Sequence, residues 1–441
     1  MSQIQTVPCN DCPPSEAYNP KQKNRLVGGK AGAFGDVRNP LADELKDIEL
    51  VRKTYSLLPI VPFYDNGDAT LQVFRMLKDL SPTQGACIND IGRYVLGGEI
   101  SIVAKKRAGW AATSKVEISE SDKFQLQDFT DTLNPSITKE HGGNYLMNVA
   151  KGVYQNKKTY GNAFVRLNMV TVGRSRFAYI ENIDTENVRY WATMPNEPKL
   201  AVISALWNYD YITRHPPEMV GVFPNMTEKN GVISTIFHDF DKIAARDWYG
   251  QPDSVQSIFQ QFAEMQQGQY FTEGYASDFA GRVLFEYVST SDDDDDDFDA
   301  AVESTFTNKA GKNKKRVIMR MRSPEDSPIT VHEFSANREH EFHLGVSELT
   351  EKEIIKTHGW NKILMGIPLP GKLGGGGGAE FLAIYNQKNL TLLNPLRVSV
   401  MQTINSALSL AEEFITGKTD LTNIMSLGLA DLFENQLVTS E

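Results

Sequence analysis

The stretch Ile367-Pro-Leu-Pro-Gly-Lys-Leu-Gly-Gly-Gly-Gly-Gly-Ala379 decides how the rest of the chain is read. Pro368 and Pro370 stiffen its entry, because proline fixes φ and removes a backbone donor, while Gly374 to Gly378 leave its tip almost unrestrained. Upstream, residues 351–366 carry Ile354, Ile355, Trp360, Ile363 and Leu364 and predict a short helix. Downstream, residues 380–416 predict a long helix interrupted once, at Asn394-Pro395, where proline deletes an internal hydrogen bond and crowds the preceding turn. A hinge and a tether therefore project between two helices. Glycine content alone fits a flexible linker between independent domains equally well.

Working outward, 441 residues with 41% hydrophobic and 10% aromatic content suffice to bury cores for about two to four domains. No run of ~18 apolar residues is present, so no membrane-spanning helix is expected. Met1-Ser-Gln-Ile-Gln-Thr6 lacks a basic start and an apolar centre, so no export is expected. Cys9, Cys12 and Cys87 are too few for a disulfide framework. The CxxC spacing of Cys9 and Cys12 has no second pair or histidine nearby, which makes it a weak metal or redox signal. A net charge of −11 argues against a tight nucleic-acid grip, though not against a wall past which DNA slides.

Residues 1–40 read as a polar arm with Gly28-Gly-Lys-Ala-Gly32 inside it, and 41–57 as a helix. Leu71, Phe74, Leu77 and Leu80 share one helical face, and Ser81-Pro82 starts a second helix with Cys87, Ile88, Ile91 and Val95 inward, followed by a strand over 99–103. Residues 123–131 are polar and aromatic. A long helix is expected over 134–160, with Tyr145, Val149 and Val153 on its apolar face. Short aromatic and β-branched runs then alternate with turns at 163–172, 177–183, 188–192, 200–207, 209–213 and 232–237, the pattern of antiparallel strands. Trp248-Tyr-Gly-Gln-Pro252 opens another long helix, with Val255, Ile258, Phe259, Phe262 and Met265 as its buried stripe and a glutamine-rich face opposite. A strand is expected over 279–289. The aspartate run 292–297 reads as a solvated insertion, because it lacks a ligand-spaced loop with a turning glycine. Basic residues 312–316 could neutralise it. His340-Glu-Phe-His343 has its histidines three apart and is not the zinc-protease pattern. Leu396, Val400, Ile404, Leu408 and Ile415 carry the last long helix to Gly417, and 420–433 reads as one more helix.

Several phrases in this order resemble the portal proteins of tailed double-stranded DNA bacteriophages. Leu77-Lys-Asp-Leu-Ser-Pro-Thr-Gln-Gly-Ala-Cys-Ile88 with Tyr94-Val-Leu-Gly97 resembles the opening wing segment, Tyr160-Gly-Asn-Ala-Phe164 the exit from the first stem helix, and Trp248-Tyr-Gly-Gln-Pro252 the start of the second. The resemblance covers residues 70–416 and implies an α+β portal fold: flexible arm 1–40, wing 41–133, first stem helix 134–160, β-rich clip 161–246 and second stem helix 247–274. It continues with further wing 275–366 carrying the acidic insertion 291–299, tunnel loop 367–379, kinked helix 380–417 and a small C-terminal crown 418–441.

It further implies a non-enzymatic ring homo-oligomer, a dodecamer, at one vertex of a virion assembled in the host cytoplasm. Double-stranded DNA would pass through it without sequence preference. Its partners would be the terminase large subunit, head-tail adaptor proteins and the major capsid or scaffold protein, with no cofactor and no membrane. Gly371, Lys372, Leu373, Gly374, Gly375, Gly376, Gly377 and Gly378 would form the DNA-contacting loop, with Lys372 the phosphate contact. No GxxxxGK[ST] phosphate loop occurs in the chain. Two other readings stand beside this one. A metal-dependent hydrolase would use His238, Asp239 and Asp241. Another virion component, an adaptor or baseplate protein, would account for the acidity but not for this succession of helices, strands, loop and kinked helix.

Overall fold

The structure, a computed structural model, describes residues 60–63, 69–105, 118–133, 145–191, 199–207, 209–240, 248–277, 282–288, 317–322, 330–334, 339–367 and 378–431, all within one compact unit, Asp47–Glu441. In chain order the elements begin with β1 (Ile60–Val61), α1 (Ala69–Leu80), α2 (Pro82–Leu96), β2 (Ile100–Ala104), α3 (Glu120–Thr132) and α4 (Tyr145–Tyr160). Next come β3 (Asn162–Val172), β4 (Ser175–Ile183), β5 (Val188–Trp191), β6 (Leu200–Ile203), α5 (Tyr209–Arg214), β7 (Glu218–Val222), β8 (Thr227–Lys229) and β9 (Val232–Phe240). The chain continues through α6 (Ile258–Ser277), β10 (Arg282–Val288), β11 (Val317–Arg322), β12 (Thr330–Phe334) and α7 (Glu339–Thr357). It closes with α8 (Gly378–Lys388), α9 (Asn394–Thr416), α10 (Asp420–Ile424) and β13 (Met425–Leu429).

Strand β3 sorts the core by its two-residue period. Ala163, Val165, Leu167 and Met169 join Ala178, Ile180 and Phe237 in a main core shared with α2, α4 and α9. Phe164, on the opposite face, joins Tyr190, Val188, Val220 and Ile236 in a second core that also holds Phe63, Leu71, Phe74 and Tyr249. Both faces are covered; the apolar side chains contribute on the order of 2 kcal/mol each, and the polar Arg166 and Asn168 are paired with Glu218 and Glu181. The sheet runs β1-β5-β6-β7-β9-β3-β4 with β8 also on β9, and its one parallel pair is β7 with β9. Two smaller sheets are β11-β10-β12 and β13-β2.

Several expectations need correcting. Residues 209–213 form the single helical turn α5, which buries Ile212 beside Trp207, Ile60 and Val202; its aromatic and branched residues had mimicked a strand. The polar segment at 123–131 lies in α3, started by a capping box in which Ser119 accepts from Asp122 N at 3.1 Å and Asp122 reaches back to Ser119 N at 3.3 Å. The helix expected over 351–366 begins at Glu339 and ends at Thr357, because Gly359 takes φ +62° and turns the chain. Leu80 is exposed. The segment 420–433 is helical only over α10. Met425, Leu427 and Leu429 then alternate inward as β13, which pairs with β2 instead of extending a helical crown. The acidic insertion and the arm with Cys9 and Cys12 lie outside the described residues; Cys87 is a buried free thiol whose pKa burial pushes up to about 12.

Candidate functional site: the loop anchors and the stem junction

Both ends of the glycine loop are fixed to one side chain, Tyr94 of α2. Upstream, Ile363 N donates to Asn361 Oδ1 at 2.8 Å and Gly366, at φ +74°, closes a turn on Ile363 O at 3.1 Å. The Leu364 carbonyl in that turn accepts from Tyr94 Oη at 3.2 Å, and Trp360 lies 5.4 Å from the Tyr94 ring while donating to Asp90 Oδ2 at 2.8 Å. Burial raises the Asp90 pKa despite that bond. Downstream, the Tyr385 ring of α8 sits 5.9 Å from Tyr94, fully buried, with its hydroxyl bonded to Asp431.

Helices α8 and α9 are joined without a break by one π turn, Asn389–Leu393, and Pro395 follows directly on it, so the wider turn accommodates the ring and the missing donor. The irregularity therefore precedes Pro395 instead of centring on it. Arg397, buried, fastens the turn. Its Nη1 donates to Asn389 Oδ1 at 2.7 Å and Asn394 Oδ1 at 2.8 Å, and its Nη2 to Tyr94 O at 2.8 Å, with Asp431 3.6 Å away. Residues 371–377, with Lys372 and Leu373, lie outside the described residues, and Gly378 is the first residue of α8. Tyr94→Phe keeps the ring packing and loses only the bond to Leu364 O. It is expected to lower stability by about 1 kcal/mol in urea titration. An unchanged midpoint would detach the hydroxyl from the anchor.

The two stem-like helices meet where Tyr160-Gly-Asn faces Trp248-Tyr-Gly-Gln-Pro. Gly161 leaves α4 at φ +72°, and a Cβ there would come within 2.3 Å of the Gln251 carbonyl carbon, so only glycine permits this approach. Asn162, fully buried, donates from Nδ2 to Tyr160 O at 2.8 Å and Gly250 O at 2.9 Å. Its Oδ1 accepts from Gly250 N at 2.7 Å and pairs with His238 Nε2 at 3.0 Å. The two carbonyls fix the amide orientation, so His238 carries its proton on Nε2 and Nδ1 accepts from Tyr190 Oη at 2.5 Å. The imidazole is stacked between Phe164 at 4.3 Å and Phe240 at 4.2 Å. Burial and the nearby Lys157 charge hold its pKa well below the usual range.

This arrangement corrects the metal alternative. Both ring nitrogens of His238 are engaged, and Asp239 sits on the opposite face of β9 with Lys157 Nζ at 3.0 Å and Ser399 Oγ at 3.1 Å. Asp241 lies outside the described residues. No group of three or more histidines, cysteines or carboxylates arranged for a metal occurs among the described residues.

Val149 and Val153 are buried in the main core, and Tyr145 packs at its edge. On α6 the expected stripe is rotated: Phe259 is 82% exposed, Ile258, Phe262 and Met265 are half-buried, and Gln261 is buried with its amide on Ser254 O at 2.8 Å. A 3-10 turn, Asp253–Ser257, precedes α6 and shifts its phase. Glu264 of α6 accepts from Thr83 Oγ1 at 2.5 Å and from Thr83 N at 3.3 Å, and also bonds Ser81 Oγ, placing a carboxylate at the N-terminus of α2. Sequence reading missed Glu264, Arg397 and Asp431. It quoted Tyr94 and Asn162 without their roles, and Glu264 stood in an uncharged-looking glutamine helix with no local signal.

No protein-family model and no curated protein matches the sequence. Among solved structures, the fold is similar to that of a chain in the virion of a native gene transfer agent particle, with TM-score 0.54 and 10% identity over 89% of this chain and 92% of that one. A chain in the neck of the empty particle, computed with C6 symmetry, gives TM-score 0.51 and 10% identity over 86% and 88%. A chain in the neck of the native particle, computed with C12 symmetry, gives 0.51 and 11% over 90% and 92%. The likeness spans nearly the whole of both chains and is one of fold: mixed helices and sheets in this order.

Proposed function

We propose that the chain is a portal-type subunit that assembles head to tail into a closed ring in the neck of a phage-like particle. The observation that carries this reading is the near end-to-end likeness of fold to chains in the virion and the neck of a gene transfer agent particle, the neck computed with C12 symmetry. A heterologous contact repeated through a closing rotation yields such a ring, and an open channel follows from it. Double-stranded DNA passes through that channel during packaging and ejection. The loop with Lys372 faces the DNA, and one lysine per subunit around a ring gives a weak contact along which DNA slides. A terminase docks at the end away from the loop, adaptors follow it there, and the capsid holds the rim. The contacts of Tyr94 with Leu364 O and with Arg397 support fixed elements on either side of the loop.

Electron microscopy of the purified chain tests the reading. Rings of about twelve subunits around an open channel are expected. A monodisperse monomer or dimer at high concentration, with no ring when coat protein is added, would overturn it.

A further inference from the structure

Between Glu380 and Glu412 the sequence contains no acidic residue, in a chain with 56 Asp and Glu among 441 residues. The stretch forms α8, the π turn and α9; its two cations are the half-buried Lys388 and the buried Arg397, and its outward side also carries apolar groups: Leu390 is 73% exposed and Val398 67%. Beside Val398, α9 and β13 border an open groove of about 690 Å³ lined by Met401, Gln402, Ser406, Leu429 and Phe223. Its lining includes no carboxylate and two cations, Lys105 and Arg397, and both are engaged: Lys105 Nζ donates to Thr422 O at 2.6 Å and Arg397 to Tyr94 O at 2.8 Å.

We propose that this face, centred on Leu390 and Val398, is where a second copy of the chain packs. The occupant follows from charge. Two copies of net charge −11 repel wherever acidic surfaces meet, and this is a long helical face from which acid is missing, so copies can approach through it at low electrostatic cost. DNA is a poorer occupant, because phosphate binding needs available cations and the groove's two are committed to carbonyls. Exposed Leu390 and Val398 next to a concave groove match the apolar centre and polar rim of a protein interface. The inference rests on the ring reading and adds which face closes the ring.

The test uses the full chain carrying Leu390→Glu and Val398→Glu together, with Phe124→Glu as a control at a 71% exposed site on α3. Assembly is followed by sedimentation velocity and electron microscopy, and folding by circular dichroism and thermal melting. The double variant should remain folded and sediment as monomer, with the concentration needed for assembly raised by about a hundredfold or more, since it buries unpaired carboxylates. The control should assemble as wild type. Rings from the folded double variant would overturn the face assignment while leaving the ring reading intact, and if those rings differed only in DNA passage the face would belong to DNA. Loss of rings in the control as well would reduce the effect to general charge repulsion and overturn the assignment. A wild-type chain that never forms rings would remove the ring reading and this inference together. Should the double variant unfold, Val398→Ala with Leu390→Ala, which adds no charge, should still raise the assembly concentration, and an unchanged value would overturn the inference.

Discussion

Asn162→Ala is expected to lower stability by on the order of 4 kcal/mol, enough to move a chain of ordinary stability close to its unfolding threshold. The side chain is fully buried and serves four groups at once: the Tyr160 and Gly250 carbonyls, the Gly250 N–H and His238 Nε2. Deleting it strands all four, and each stranded group costs about 1–3 kcal/mol unless a water fills the void. The loss also spreads, because His238 passes the same network to Tyr190, whose N–H is bonded by Tyr249 Oη at 2.8 Å, and Tyr249 in turn donates to Val61 O at 2.9 Å. Asn162→Asp should not rescue it, since a carboxylate would set oxygen against the two carbonyls that now receive N–H bonds. Guanidinium unfolding monitored by tryptophan fluorescence reads the effect. A difference under about 1 kcal/mol would mean that a water replaces the amide and that the junction does not depend on it.

This junction shows how far the sequence could be read. Tyr160-Gly-Asn and Trp248-Tyr-Gly-Gln-Pro stood out as words, but nothing in them says that Gly161 must lie against the Gln251 carbonyl or that Asn162 brackets Gly250, because those contacts span 88 residues. Long helices and strands of the main sheet were legible since burial imposes period 3.6 or 2 on residues such as Val149 and Val165. What failed was local. The capping box at Ser119 went unread, the single turn α5 looked like a strand, and a 3-10 turn before α6 rotated its stripe so that Phe259 faces out. The loop was legible as composition, whereas its anchors were not: Arg397 reads as an ordinary surface arginine, and only the π turn brings it against Asn389 and Tyr94 O. The run without acidic residues from 381 to 411 was visible all along and gains meaning only once its outward side is known.

Acid should weaken the fold well before its carboxylates titrate: His358 alone removes about 2 kcal/mol between pH 7 and pH 5, and His238 adds to the loss in the same direction. Two buried histidines cause this. His238 sits between Phe164 and Phe240 with Lys157 nearby, and burial first, then that charge, depress its pKa well below 6.5. His358 pairs Nε2 with Gln84 Oε1 at 2.6 Å, and burial, then Lys158, lower it to about 4, with Asp253 opposing. A histidine whose folded pKa is depressed takes up its proton in the unfolded chain first. Stability is therefore complete above pH ~6.5 and falls by about 1.4 kcal/mol per unit and per histidine below it, until the folded pKa is reached. At pH 5 His358, with its folded pKa lowered to about 4, has lost about 2 kcal/mol, and His238 contributes with the same sign. Asp253, held down chiefly by Lys158 against its own burial, loses stability only below its ordinary range near 3.8. Asp90, raised by burial, acts in the opposite direction, its destabilising effect fading as pH falls through its raised folded pKa towards 3.8. The window from pH 6.5 to 5 thus belongs to the two imidazoles. Urea midpoints at pH 7, 6 and 5 read the slope, and His358→Gln should flatten it, leaving the part due to His238. A midpoint that stays level to pH 5 would mean that both rings accept a proton without unfolding, against the engagement of His238 Nδ1 by Tyr190 Oη and of His358 Nε2 by Gln84 Oε1.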